Sequence, residues 1–181
     1  LLPCVEIGSD DATHSVIWFH GLGADGHDFE PIVNELTLSH NIRFIFPHAP
    51  EMPVTINNGM VMPAWYDIKA PQIDSLQDEA GIKHSQKSMR ALIEREIERG
   101  IKTENIILAG FSQGGAIALH TALRYEKSLA GIMGLSTFLP PMFFANSAAF
   151  AFPTALYGNV CFFILPESGH EYVTVGISYF L

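Results

Sequence analysis

Cysteine is scarce in this chain of 181 residues: Cys4 and Cys161 are isolated in sequence and form no C-x-x-C pair. Two such thiols build neither a disulfide framework nor a cysteine zinc site, so a reducing, cytoplasmic setting is the simpler expectation. Positive charge is also in short supply. Ten Lys and Arg stand against 19 Asp and Glu, a formal net charge of −9, whereas binding to a phosphate backbone requires a clustered basic excess. Nucleic acid is therefore not an expected partner. Unbroken apolar runs of about 18 residues, the length needed to cross a bilayer as a helix, are absent too. The nearest candidate, 138–165, is interrupted by Pro140, Pro141, Pro153, Gly158 and Asn159. No stable membrane insertion is expected, and no basic-then-apolar leader opens the sequence.

Charge is missing in a second, positional sense. All Lys and Arg lie at or before Lys127, no Asp follows Asp78, and the last 54 residues carry two Glu and eight of the 13 Phe. A solvated helix needs a polar face. The expectation is one domain over 1–181 in which 141–181 is of doubtful or incomplete sequence.

What is present is an alternation of two segment types. "SVIWFH" (15–20) and "IRFIFP" (42–47) are short β-branched and aromatic runs closed by Gly or Pro, the pattern of strands buried on both faces. Residues 27–40 between them have room for a helix. In 75–100, Ile82, Ser85, Met89, Leu92, Ile93 and Ile97 recur at spacings of three and four with Lys and Glu opposite and Gly100 as the stop, which predicts an amphipathic helix. A strand at 105–109, a helix over 113–125 and strands at 129–135 and 160–165 follow. Such alternation predicts an α/β fold with a mostly parallel central sheet covered by helices on both faces.

The stretch "AGFSQGGA" (109–116) falls between a predicted strand and a predicted helix. G-x-S-x-G at 110–114 is the pattern of a sharp turn that lifts a serine into a strained, exposed position, with glycines where side chains would strike the neighbouring strand and helix. The plainer alternative is an N-cap serine in a Gly-rich turn. If Ser112 is a nucleophile, the developing oxyanion needs two donors. The backbone N–H of Gln113 supplies one, and that of Leu22, in the Gly-rich "HGLGADG" (20–26) after the first strand, supplies the other.

These segments, with "FHGLGADGHDF", "FPHAP", "PVTINNG", "MPAWYDI" and "GIMGLSTFLP", resemble the bacterial carboxylesterases related to acyl-protein thioesterases and lysophospholipases, within the α/β-hydrolase fold. The resemblance runs in order over residues 15–140. It implies Ser112 as nucleophile, Leu22 and Gln113 as oxyanion donors, a substrate-contacting loop around Trp65, Tyr66 and Asp67 beside the acyl pocket, and a histidine in a setting like "LPESGHEY". In that fold the order along the chain is Ser, acid, His. His120 and His170 follow Ser112, and His120, two turns along the helix, points to packing, which leaves His170 as the base. His20 is expected to orient the oxyanion loop. The acid is not legible: only Glu126 and Glu167 lie between Ser112 and His170, and neither follows a strand of its own. The family's crossover, further strand and helix also exceed the space in 136–159, given about 30 residues per βαβ unit.

Two rivals remain beside this reading. His20, Asp25, His27, Asp28 and His48 have the residue types of a zinc site, and a relative without catalysis would keep only the pocket. The sequence favours a serine esterase for small to medium acyl chains, with an acyl-protein thioesterase or lysophospholipase using the same site as the alternative, no cofactor and no metal, a small-molecule ester as partner, and homodimerisation left open.

Overall fold

A computed structural model describes residues 1–70, 77–137 and 161–163. Eight strands are present there: β1 (Cys4–Ile7), β2 (His14–Phe19), β3 (Ile42–Pro47), β4 (Glu51–Val54), β5 (Met60–Pro63), β6 (Ile106–Phe111), β7 (Gly131–Leu135) and β8 (Cys161–Phe163). Two α-helices accompany them, α1 (Glu79–Glu98) and α2 (Gln113–Ala122). Six strands form the main sheet in the order β1-β3-β2-β6-β7-β8, and β4 and β5 pair as a separate hairpin.

The central pairs β3/β2, β2/β6 and β6/β7 are parallel, while β1 and β8 run antiparallel at the two ends. The sheet is thus mostly parallel. Beside β7, β8 runs antiparallel, with Met133 opposite Phe162.

Strand pleating divides the core into two. Ile17 and Phe19 of β2 face one side with Ile45, Leu108 and Ile132, against Ile82, Met89, Leu92 and Ile93 of α1 and Ile117, Ala118 and Leu119 of α2. Val16 and Trp18 face the other with Phe44, Phe46 and Ala109. Side chains two apart share a face, so a single register slip would exchange the two cores. Both described α-helices lie on the first side; on the second, Phe29, Ile32 and Val33 pack against the sheet. The helix expected over 27–40 is only a 3-10 turn, Glu30–Glu35. Pro31 stands at its start, its N-cap makes no side-chain bond, and Leu36 is already extended, so nothing propagates an α-helix.

Helix α1 begins where Asp78 caps it, its carboxylate accepting the Gly81 N–H at 3.2 Å. Its buried face holds Ile82, Ser85, Met89, Leu92 and Ile93 as the spacing predicts, but the next position inward is Glu96 and not Ile97. Glu96 is wholly buried and accepts from Ser15 Oγ at 2.7 Å, Arg43 at 3.2 Å and Arg99 at 2.9 Å. Glu6 continues the network to Arg95 at 2.8 Å and Arg99 at 2.7 Å. The far end of α1 is thereby tied to β1, β2 and β3.

Candidate active site

Strand β6 ends where Ser112 begins a turn into α2. The serine has φ +51° and ψ −116°, a backbone state that side chains other than glycine rarely occupy and that costs on the order of 1–3 kcal/mol unless its surroundings impose it. Here they do. The Ser112 N–H donates to the Leu135 carbonyl at 2.9 Å, and its own carbonyl accepts from the Ala116 N–H at 3.1 Å and Thr137 Oγ1 at 2.7 Å. Its hydroxyl makes no cap bond to the helix, so the N-cap alternative is not what the side chain is used for.

Glycines make the turn sterically feasible. A Cβ on Gly110 would stand 2.4 Å from the Gly114 carbonyl, and one on Gly114 would stand 2.3 Å from the Phe19 carbonyl oxygen. Helix α2 is therefore seated directly on the ends of β2 and β6. Its first residue is Gln113, whose N–H has no carbonyl four residues back to bond and lies at the positive end of the helix dipole. The loop after β2 approaches from the other side: a Cβ on Gly21 would be 3.6 Å from Ser112 Cβ. Leu22, half-buried, follows at once. The structure thus brings Ser112, Gln113 and the Leu22 loop together.

His20 is buried at the root of that loop. Its Nδ1 donates to the Gly21 carbonyl at 2.8 Å and its Nε2 accepts from the Ala49 N–H at 3.1 Å, a tautomer fixed by these two partners. Burial pushes its pKa below the usual imidazole range, against the Gly21 carbonyl, which acts the other way. The ring is neutral and orients the loop, as the sequence implied. The metal rival gains nothing from these residues: His48 Nδ1 accepts from the Gly26 N–H at 3.1 Å, and His27 pairs with Glu30 at 2.8 Å. Among the described residues no group of three or more His, Cys, Asp or Glu stands close enough to hold a metal ion.

Trp65, expected beside the acyl pocket, is a core residue by its packing. It is 2% exposed, enclosed by Phe19 edge-on at 5.5 Å and by His20 at 5.0 Å. Its indole N–H donates to the His20 carbonyl at 2.8 Å and its backbone N–H to Gln113 Oε1 at 2.9 Å, so the ring is packed inside the protein. The side-chain partnership of Gln113 with Trp65 and Tyr66 was not legible beforehand; the one hint was a polar side chain ahead of a run, 114–119, of small and apolar residues. Of the triad candidates, Glu126 is exposed and paired with Arg90, and buried His120 is held neutral, its pKa lowered to about 4 first by burial and then by Arg124 and Lys83. His170 and Glu167 lie outside the described residues.

The family model for phospholipases and carboxylesterases matches residues 2–174. The chain belongs to that family. Acyl-protein thioesterase 1 of Schizosaccharomyces pombe is 44% identical over 144 residues, covering 80% of this chain and 61% of that protein. The Cryptococcus neoformans protein of the same name is 43% identical over 132 residues, covering 71% and 56%. Among solved structures, Arabidopsis thaliana SOBER1 superposes with a TM-score of 0.66 at 39% identity over 70% of this chain and 62% of that one. Zea mays acyl-protein thioesterase 2 gives 0.68 at 28% identity over 82% and 69%. These likenesses establish the α/β-hydrolase fold for this member of the family. These four relatives are fungal and plant proteins, which lends no support to a bacterial assignment, and the chain spans about three fifths of the length of the fungal ones.

Proposed function

We propose that this chain is a serine hydrolase of acyl esters and thioesters, with thioesters on protein cysteines as the favoured substrate class. The observation that carries the reading is Ser112 in its positive-φ turn, with the Leu22 loop beside it and the first N–H of α2, which has no partner within the helix, next to it. In this mechanism Ser112 Oγ attacks the acyl carbonyl and His170 takes its proton. Leu22 and Gln113 hold the oxyanion; as the intermediate collapses the C–S or C–O bond breaks and His170 passes its proton to the departing thiol or alcohol, and water, deprotonated by His170 in turn, then releases the acyl group from Ser112. The names of the fungal relatives support thioesters over the plain carboxylic esters that the sequence put first. The setting is cytoplasmic, and no cofactor takes part. Among the described residues no helix is long and apolar enough to cross a membrane.

The acyl chain is taken to lie along the β4–β5 hairpin, where Met62 reaches to 3.7 Å from the Cβ position of Gly23. Apolar contact contributes about 0.8 kcal/mol per buried methylene. Rates with p-nitrophenyl esters from acetate to decanoate should rise with chain length and then fall, and an S-acyl cysteine peptide of the optimal length should exceed the matched O-acyl serine peptide in kcat/KM. A flat chain-length profile contradicts the acyl site, and a preference for the oxygen ester contradicts the thioester assignment.

A further inference from the structure

The glycine-rich loop that carries Leu22 is flexible by composition, with Gly23 at φ +75°, yet an oxyanion donor acts only if its N–H is held in place before the reaction. Two hydrogen bonds bracket Leu22, and both come from one short segment. Trp65 Nε1–H donates to the carbonyl of His20 at 2.8 Å, and the Gly23 N–H donates to the carbonyl of Pro63 at 2.9 Å. The same segment grips the other donor residue. Gln113 accepts the Trp65 N–H on Oε1 at 2.9 Å and donates from Nε2 to the Tyr66 carbonyl at 2.7 Å. From outside, Ser85 of α1 donates its hydroxyl to the Trp65 carbonyl. His20, Trp65, Tyr66 and Gln113 are each no more than 2% exposed, so the three bonds among them act without competition from water, whereas Gly23 is exposed.

Buried polar groups must find partners somewhere, and satisfaction alone would be met by bonds within each loop. Here all four bonds run instead from residues 63–66 to the two segments that carry the oxyanion amides. We propose that residues 63–66 are a template that sets the position of the Leu22 and Gln113 amides relative to each other, with the Trp65 indole and the Gln113 carboxamide as positioning groups. The inference rests on the hydrolase reading above. It assigns to Trp65 a part in turnover that requires no contact with substrate.

The test uses Trp65→Phe, which keeps the ring and deletes the indole donor, and Gln113→Met, which keeps the backbone amide and deletes the carboxamide. Loss of a whole oxyanion donor costs about 10²–10³ in kcat, so a donor left unpinned should cost about tenfold or more, with KM within about twofold of wild type. Because both act through one unit, the double variant should lose less than the product of the two single losses. Amide hydrogen exchange over residues 20–23 should quicken in Trp65→Phe, a change independent of turnover. Unchanged kcat in folded Trp65→Phe, or unchanged exchange at 20–23, overturns the template. Failure of the hydrolase reading looks different: the wild-type protein would then turn over no acyl substrate, or would do so equally well as Ser112→Ala, while the exchange measurement still decides the template.

Discussion

Two regions of this molecule solve opposite problems. Around Glu96 a carboxylate is taken fully out of water and each of its oxygens accepts two hydrogen bonds, from Ser15 of β2 and Arg43 of β3 on one and from Arg95 and Arg99 at the end of α1 on the other. Around Ser112 the backbone is forced into a costly conformation, pinned by Leu135, Ala116 and Thr137, and the hydroxyl is left without a helix-cap partner. The first arrangement serves only the fold. The second, on the proposed hydrolase reading, keeps a reactive group available, and its strain is sustained by the neighbours that pin the backbone. Residual strain and incomplete bonding therefore mark the site, whereas dense charge pairing does not.

Substitution should separate the two regions. The largest effect is expected at the serine: Ser112→Ala should lower turnover by about 10⁴-fold or more while thermal unfolding stays near that of wild type, because the triad acts as a unit. Steady-state kinetics beside a melting curve reads both quantities. Glu96→Leu should do the reverse. It leaves the buried Arg43 guanidinium, 6% exposed at the side chain, without its main acceptor, and breaking such a pair costs about 3–5 kcal/mol. Denaturant unfolding should show that loss while kcat per folded molecule is kept; a variant with native stability would mean that the network is ornamental.

Acid should weaken the α2 side through a third residue. The His120 pKa, lowered from 6.5 to about 4 by burial, lies below its unfolded value, so the unfolded chain binds a proton that the folded one refuses. Its contribution to stability is full above pH 6.5 and declines as the pH falls from there toward about 4, and buried His20 acts in the same direction. The melting temperature of His120→Gln should fall less steeply across that window than that of wild type. An identical slope would remove His120 from the account of acid sensitivity. The smallest effect concerns strain: Ser112→Gly should be about 1 kcal/mol more stable than Ser112→Ala, since glycine alone accepts this turn without cost. Equal stability of the two would show that the turn is unstrained.

Local backbone demands were readable in the sequence, and long-range pairings were not. The strands at 15–20 and 42–47 and the helix within 75–100 could be placed because their periodicity is set by residues a few positions apart, and the Ser112 turn because its glycines answer clashes within one strand-turn-helix unit. The pattern in 75–100 puts Ile97 on the buried face and does not single out Glu96, whose burial depends on Arg43, 53 positions earlier. An aromatic residue in an uncharged loop such as Trp65 suits either a pocket wall or a core, and its bonds to His20 and Gln113, 45 and 48 positions away, leave no trace in the local sequence. The helix expected over 27–40 rested on available length without a cap, and length alone does not nucleate one. The direction of β8 follows from which strand it meets, a fact absent from its own residues.

The central claim, that Ser112 is a nucleophile activated in place, is tested most directly by reaction with a fluorophosphonate followed by intact mass and peptide mapping. The account predicts a single adduct per chain, located on Ser112 and missing in Ser112→Ala. Labelling at another residue, or a wild-type protein that stays unmodified while folded, would contradict it.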